Sequence, residues 1–257
     1  MVVALYVVFI VGMAGSGKSV LTGSLCEWLR RKDQNAISLN LDPGAISLPY
    51  NPDVDVRSYV DILDLMETHQ LGPNSALLMA VDLIGDYIEE IKQEIEEVEP
   101  DLLLVDTPGQ MELFAFRESG PFISSAITKD PEILLYLFDA PFCRNPLNFV
   151  SNMFLAAAIH SRLLKPQVYA LTKTDLIGNS ELDSIIAWSE ETEQLEYAIQ
   201  NQLGKNLSLI SRDLVHAISR VGLIFEPIPV SAKGGVGFVE LYAALTRILT
   251  GGEELAP

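Results

Sequence analysis

Cysteine is scarce in this sequence. Its 257 residues include two cysteines, Cys26 and Cys143, with neither CxxC nor any other metal-ligand spacing. The sequence therefore indicates neither a disulfide framework nor a cysteine-based metal site. We expect both thiols to be buried apolar groups of a protein in the reducing cytoplasm.

Basic residues are also few. Lysine and arginine total 17 against 35 aspartate and glutamate residues, which gives a formal net charge of -18. Binding to nucleic acid or to an anionic membrane needs a basic surface. We therefore expect no direct contact with either.

Hydrophobic runs long enough to cross a membrane are missing as well. The apolar N-terminal run, Val2–Val11, is shorter than the roughly 20 residues of a membrane-spanning helix. It also lacks the basic segment that opens a signal peptide. We interpret the run as a buried β-strand and predict a cytoplasmic protein.

A glycine-rich segment, Gly12–Ser19, follows this run and precedes a helical pattern that begins at Val20. In this context the pattern GxxxxGKS predicts a phosphate-binding loop. Backbone N–H groups and the helix N-terminus bind phosphate, Lys18 reaches the outer phosphates, and the Ser19 hydroxyl binds Mg²⁺. The alternative, a merely flexible turn, does not account for the two flanks. The predicted nucleotide contacts are Gly12, Ala14, Gly15, Ser16, Gly17, Lys18, Ser19 and Val20.

Strand-like apolar segments alternate with helical patterns along the chain. This alternation predicts an α/β protein, a P-loop NTPase with a doubly wound, mostly parallel sheet and helices on both faces. We expect one domain over residues 1–250 and a disordered tail over residues 251–257. The predicted strands are Val2–Val11, Ala36–Leu41, Leu102–Val105, Ile133–Phe138, Val168–Leu171 and Pro227–Val230.

The segment between the second and third of these strands is predicted to hold a loop and two helices. Prolines in and beside Tyr50–Asp55 favour a loop there, and apolar spacing from Val56 favours a helix. Gly72-Pro73-Asn74 ends that helix, and Asn74 is the predicted N-cap of a long helix from Ser75.

A candidate metal ligand follows the strand Leu102–Val105. Asp106 stands at the carboxyl end of this strand, where doubly wound sheets bind ligands. Its carboxylate can hold Mg²⁺ directly or through water, and the Gly109 N–H can approach a γ-phosphate. The pattern DxxG alone also fits an ordinary β-turn, but its place behind an apolar strand favours a nucleotide site.

Two later strand ends carry a pattern for guanine. Asp175 can accept hydrogen bonds from N1–H and the 2-amino group of guanine, a donor pair that adenine lacks. The stem of Lys173 can cover the base, and the Ala232 N–H can donate to guanine O6. Each short pattern alone fits ordinary loop polarity, but their order after a phosphate loop favours GTP. The predicted contacts are Thr172, Lys173, Asp175, Ser231, Ala232 and Lys233.

With Gly72-Pro73-Asn74 between the Asp42 loop and Asp106, these motifs resemble the GPN-loop GTPase family, most closely its archaeal homodimeric type. The resemblance covers essentially the full length, with a GPN-loop insertion over about 50–99 and a helical insertion over about 178–223. It implies a Mg²⁺-dependent GTPase switch that acts as a homodimer, in which Gly72, Pro73 and Asn74 enter the partner's site. It also implies an assembly or chaperone-like role toward a client protein, with an RNA polymerase-related client as one candidate.

The resemblance also assigns roles to single residues. Asp42 matches the switch-loop acid near the attacking water and the metal, and Asn74 acts from the other subunit. Gln110 matches a water-positioning residue, and its amide can both accept from and donate to a water in line with the γ-phosphate. The implied catalytic set is Lys18, Asp42, Asn74 and Gln110, and the implied metal set is Ser19, Asp42 and Asp106.

Two positions depart from the family pattern. Thr172 stands where the guanine motif usually begins with asparagine, which braces the phosphate loop and contacts the base. We therefore expect a weakened guanine affinity. Gly44 stands where the family usually has alanine, and this predicts a more flexible switch loop.

Two alternative functions fit part of the pattern. One is a nucleotide-regulated scaffold with negligible hydrolysis. The other is a P-loop kinase, which needs an arginine-rich lid that the arginine-poor middle of the chain does not supply. Arg117 and Arg144 are available as arginine fingers, but surface ion pairs are the favoured interpretation of both.

Overall fold

A parallel sheet forms the centre of the protein. The computed structural model describes residues 5–128, 131–203, 213, 215–217, 220 and 225–251. Its strands are β1 (Tyr6–Gly12), β2 (Ala36–Asn40), β3 (Val54–Asp55), β4 (Leu102–Asp106), β5 (Glu132–Asp139), β6 (Gln167–Thr172) and β7 (Ile228–Pro229). Within the described residues these seven strands lie in the order β3-β2-β4-β1-β5-β6-β7, and neighbouring strands run parallel. The predicted doubly wound parallel sheet is confirmed.

Helices cover both faces of the sheet. They are α1 (Lys18–Arg30), α2 (Ile62–Thr68), α3 (Pro73–Leu83), α4 (Ile88–Val98), α5 (Met111–Ala115), α6 (Ser119–Ile127), α7 (Ala140–Cys143), α8 (Pro146–Leu163), α9 (Asn179–Glu190), α10 (Thr192–Leu203) and α11 (Phe238–Leu249), with 3₁₀ turns at Val56–Ser58, Ile84–Tyr87 and Thr174–Leu176. In the described part of the chain, none of the helices has both the length and the apolar character needed to cross a membrane.

Two hydrophobic cores lie on opposite faces of the sheet. Successive side chains of a strand point to opposite faces, so Phe9 of β1 belongs to one core and Ile10 to the other. The first core packs mainly against α3, α4, α6 and α8, and the second against α1 and α11. Burial on both faces explains why the central strands are apolar throughout.

The structure corrects three predicted elements between β2 and β4. The predicted loop Tyr50–Asp55 ends in the edge strand β3, and α2 begins at Ile62 after a 3₁₀ turn. The predicted Asn74 N-cap is wrong, because Gly72 is the N-cap of α3 and Pro73 its first residue. Proline fits this position since its missing N–H would have no partner there. The predicted long helix is divided into α3 and α4 by the 3₁₀ turn at Ile84–Tyr87.

Both cysteines are buried and free, as predicted. Of the predicted helical insertion at 178–223, α9 and α10 are described, whereas most of the remainder (204–212, 214, 218–219 and 221–224) lies outside the described residues. The predicted disordered tail also lies outside them, apart from Gly251.

Candidate nucleotide site

The phosphate loop joins β1 to α1 at the carboxyl end of the sheet. Gly15 and Gly17 have φ angles of 79° and 95°, in the left-handed region that side chains disfavour. A Cβ at Gly12 would lie 3.0 Å from the carbonyl oxygen of Leu137 in β5. Glycine therefore lets the backbone turn tightly against the neighbouring strand. Ala14 and Gly15, within the loop, are exposed.

Lys18 folds back across this loop. Its ammonium donates to the carbonyl oxygens of Gly12 and Gly109 at 2.9 and 3.1 Å. Lys18 is 5% exposed, and this burial lowers its pKa, while the nearby carboxylates of Asp106 and Asp42 oppose the shift. A largely buried cation thus joins the phosphate loop to the segment that follows β4.

Asp42 and Gly109 are joined by a hydrogen bond. The Gly109 N–H donates to Asp42 Oδ2 at 2.8 Å, and the Gly44 N–H donates to Oδ1 at 2.9 Å. Both oxygens of Asp42 therefore accept from the backbone. A γ-phosphate oxygen that bound the Gly109 N–H, as the sequence predicts, would compete with Asp42 for it.

Three residues that sequence reasoning missed hold Asp42 in place. The fully buried Asn40 accepts from the Asp42 N–H at 3.0 Å and donates to the Asp42 carbonyl at 3.2 Å. Asn40 also donates to Asp55 at 2.9 Å, and Asp55 pairs with Arg57 at 2.6 Å. The sequence could have indicated a structural role for Asn40, because an asparagine in a buried strand needs hydrogen-bond partners.

Asp106 lies beside the phosphate loop, in register with Ile10 of β1, and is 1% exposed. The Tyr50 hydroxyl, also missed by sequence reasoning, donates to Asp106 Oδ2 at 3.2 Å. Asp106 Oδ1 has no hydrogen-bond partner among the residues that the structure describes. Burial raises the pKa of Asp106 to about 6, and the Ser19 and Tyr50 hydroxyls and the charge of Lys18 oppose the shift.

These groups fit a magnesium ion. Mg²⁺ at nucleotide sites is held by one or two carboxylates together with substrate phosphates, rather than by a cage made of protein alone. Asp106 Oδ1 and the half-buried Ser19 could supply such ligands. Among the described residues there is no group of three or more His, Cys, Asp or Glu side chains suited to a metal.

The predicted guanine motif, Thr172, Lys173 and Asp175, lines a cavity of about 140 Å³ beside the phosphate loop. The Ser231 hydroxyl donates to Asp175 Oδ1 at 2.7 Å, which orients the carboxylate. The structure thus brings the guanine motif, the loop after β7 and the end of the phosphate loop together. The lining includes Gly17, Val20, Thr172, Asp175, Ala232 and Lys233.

Thr172 and Lys173 both brace the phosphate loop. Thr172 Oγ1 donates to the Ser16 carbonyl at 2.7 Å, and Lys173 Nζ donates to the Gly15 carbonyl at 2.5 Å. Thr172 therefore braces the loop, although asparagine is usual at this position in the family. The weaker guanine affinity expected from Thr172 stays a prediction. Lys173 also pairs at 2.6 Å with Asp139. Sequence reasoning did not assign Asp139 to the site, although its position at the end of a strand could have indicated it.

Gln110 and Asn74 are both exposed. In the described part of this chain, no hydrogen bond joins either side chain to the phosphate loop. Helix α3, which begins with Pro73 and Asn74, nevertheless contacts the Asp42 loop, since a Cβ at Gly44 would lie 2.9 Å from Leu77 Cδ1. The roles assigned to Gln110 and Asn74 remain predictions.

The two arginines considered as arginine fingers lie in surface ion pairs. Arg117 pairs with Asp82 at 2.5 Å, and Arg144 pairs with Glu181 at 3.4 Å. Their side chains are 38% and 52% exposed. This agrees with the interpretation favoured from the sequence.

Comparison with known proteins identifies similar sequences over most of the chain. A family model described as "Conserved hypothetical ATP binding protein" matches residues 10–251. GPN-loop GTPase PAB0955 of Pyrococcus abyssi is 34% identical over 191 residues, which are 74% of this chain and 75% of that protein. GPN-loop GTPase QQT2 of Arabidopsis thaliana is 33% identical over 246 residues, 92% of this chain. This chain spans 62% of the length of the Arabidopsis protein.

A solved structure is also similar. The crystal structure of PAB0955, described as a GTPase in apo form from Pyrococcus abyssi, aligns with a TM-score of 0.82 at 29% identity. The alignment covers 95% of this chain and 97% of that one. The likeness therefore extends over the phosphate loop, the sheet and the helices on both of its faces.

Proposed function

Because the chain belongs to the GPN-loop GTPase family, we propose that it binds GTP with Mg²⁺ and hydrolyses it to GDP and phosphate. One observation supports this most strongly. The phosphate loop, the buried Asp106 and the guanine motif around Asp175 lie at the same edge of one parallel sheet, which is where doubly wound folds bind their ligands.

Guanine is the base that suits Asp175. The Ser231 hydroxyl holds Oδ1 of this carboxylate at 2.7 Å, and the carboxylate lines the cavity next to Gly17. Guanine offers two N–H donors to it, whereas adenine would leave a charged acceptor unpaired, which is costly. The proposal is therefore GTP, although the matching family model is described as ATP binding.

Hydrolysis is attack of a water on the γ-phosphorus, with GDP as the leaving group. Lys18 binds the outer phosphates, and the Gln110 amide accepts from and donates to the water to align it. A γ-phosphate oxygen that takes the Gly109 N–H frees an oxygen of Asp42, which then accepts a hydrogen bond from the same water. Ser19 and Asp106 would hold Mg²⁺, which would supply positive charge to the phosphates.

The proposal extends to a homodimeric switch. Gly72, Pro73 and Asn74 are exposed, and open space surrounds Gly72, so this loop is free to enter the site of a second copy. Asn74 would there stabilise phosphate or orient water. Following the family resemblance, we infer a cytoplasmic assembly or chaperone-like role toward a client protein, with an RNA polymerase-related client as one candidate.

The test compares GTP binding with turnover in three variants. Gln110→Ala and Asp42→Ala should retain GTP binding and lose turnover, whereas Gln93→Ala, an exposed glutamine on α4, should retain both. Turnover that survives the first two changes would refute the water-positioning roles. Wild-type protein that binds GTP without hydrolysing it would instead support a nucleotide-regulated scaffold.

A further inference from the structure

Tyr50 contacts the buried carboxylate that fits the metal. Its hydroxyl donates to Asp106 Oδ2 at 3.2 Å, while Oδ1 has no hydrogen-bond partner among the described residues. One oxygen of the carboxylate is thus committed to the phenol, and the other is left available.

A glycine in α1 makes this contact possible. Gly23 lies four residues after Ser19, on the same face of the helix. A Cβ at Gly23 would lie 2.5 Å from Tyr50 Cβ, so any larger residue would push the tyrosine away. Glycine is unfavourable inside a helix by about 1 kcal/mol. The close approach of Tyr50 accounts for a glycine at this position.

Tyr50 also belongs to the loop that carries Asp42. This loop is held at one end by Asn40 and Asp42 and at the other by Asp55 and Arg57. Tyr50 lies between these two anchors, and its hydroxyl contacts the side chain of Asp106. A movement of the loop would therefore change the surroundings of the carboxylate.

We propose that Tyr50 is a positioning residue for the metal side of the site. By binding Oδ2 it fixes the plane of the Asp106 carboxylate and presents Oδ1 to the magnesium–nucleotide complex, so that the Asp42 loop and the metal ligand are coupled. The inference rests on the proposed function, because it requires a magnesium–guanine nucleotide complex. Partners that orient metal ligands typically contribute about 10- to 100-fold to metal affinity.

The experiment titrates Mg²⁺ into the full chain bound to a fluorescent GDP analogue. Tyr50→Phe should raise the Mg²⁺ concentration for half-maximal signal by about tenfold and leave analogue affinity in EDTA unchanged. Gly23→Ala should have the same effect, since it displaces the ring but keeps the phenol. Tyr242→Phe is the matched control, because that phenol donates to Gln34 at 2.7 Å and should leave the Mg²⁺ requirement as it is.

The outcomes separate this inference from the proposed function. An unchanged or lower Mg²⁺ requirement in Tyr50→Phe, with wild-type protein that binds the analogue normally, overturns the positioning role alone. Wild-type protein that binds no guanine nucleotide overturns the proposed function and the inference with it. A loss of thermal stability in Tyr50→Phe, with the wild-type Mg²⁺ requirement retained, also overturns the positioning role, because it shows a purely structural contact.

Discussion

Replacing Asp106 with asparagine should stabilise the protein in the absence of metal and nucleotide. Burial raises the pKa of Asp106 from 3.8 to about 6, a difference worth about 3 kcal/mol at about 1.4 kcal/mol per pKa unit. Since the folded-state pKa is the higher one, the unfolded chain loses this proton first as pH rises. The charge therefore destabilises the fold increasingly between about pH 4 and pH 6, and fully above that range. Asparagine cannot ionise and avoids this cost.

Urea unfolding in EDTA measures the effect. Asp106→Asn should raise the free energy of unfolding by about 3 kcal/mol at pH 7.5 and by about half as much at pH 5, because the difference between variant and wild type isolates this one carboxylate. Asp183→Asn, at an exposed position of α9, is the control and should change stability by less than about 0.5 kcal/mol at either pH.

With magnesium and GTP present, the wild type should become more stable than Asp106→Asn. A ligand that binds only the folded state stabilises it by RT ln(1 + [L]/Kd), so a tighter-binding form gains more stability. The wild type should bind the magnesium–nucleotide complex more tightly than the variant. An Asp106→Asn variant that is less stable than wild type in EDTA at pH 7.5 would refute the reasoning. So would a gain that is the same at both pH values, because a buried charge would then not be its cause.

Asp139 and Thr172, two side chains near the phosphate loop, give further predictions. Asp139→Ala should lose about 1 kcal/mol more unfolding free energy in urea than Asp139→Asn, because asparagine can still accept the Phe142 N–H that Asp139 caps; equal losses would contradict the cap. Thr172→Val should speed release of a fluorescent GDP analogue about fivefold in stopped-flow measurements, because the buried Ser16 carbonyl loses its donor. Thr172→Ser keeps a hydroxyl and should release it at nearly the wild-type rate, so equal acceleration in both variants would argue against the brace.

The sequence predicts those parts of the site in which a local motif follows a strand. Asp106 is the last residue of the otherwise apolar strand β4, and Asp175 follows the strand β6. A parallel sheet brings the carboxyl ends of its strands to one edge. The order of the motifs was therefore enough to predict that these carboxylates share a site with the phosphate loop.

The contacts that could not be predicted join residues far apart in the chain. Tyr50 meets Asp106, and Asp139 meets Lys173, but neither pair leaves a periodic pattern or a motif spacing. The need for glycine at position 23 is visible only in the folded protein, where Tyr50 occupies the space that a side chain at this position would fill.

The start of α3 was mispredicted for a local reason. Asparagine is a common N-cap, but the proline before Asn74 occupies the first helical position, so that Gly72 becomes the cap. A fixed φ and a missing N–H suit proline to this position. The rule for proline therefore prevails over the preference for asparagine.

Selection of guanine by Asp175 is tested most directly by equilibrium binding of GTP, ATP and XTP to the wild type and to Asp175→Asn. The wild type should bind GTP more tightly than ATP by roughly a thousandfold or more, because a carboxylate that accepts two hydrogen bonds is left unpaired by adenine. The asparagine amide donates to the 2-oxo group of xanthine, so the variant should prefer XTP to GTP. Equal affinity of the wild type for GTP and ATP, or a variant that still prefers GTP, would contradict a guanine site at Asp175.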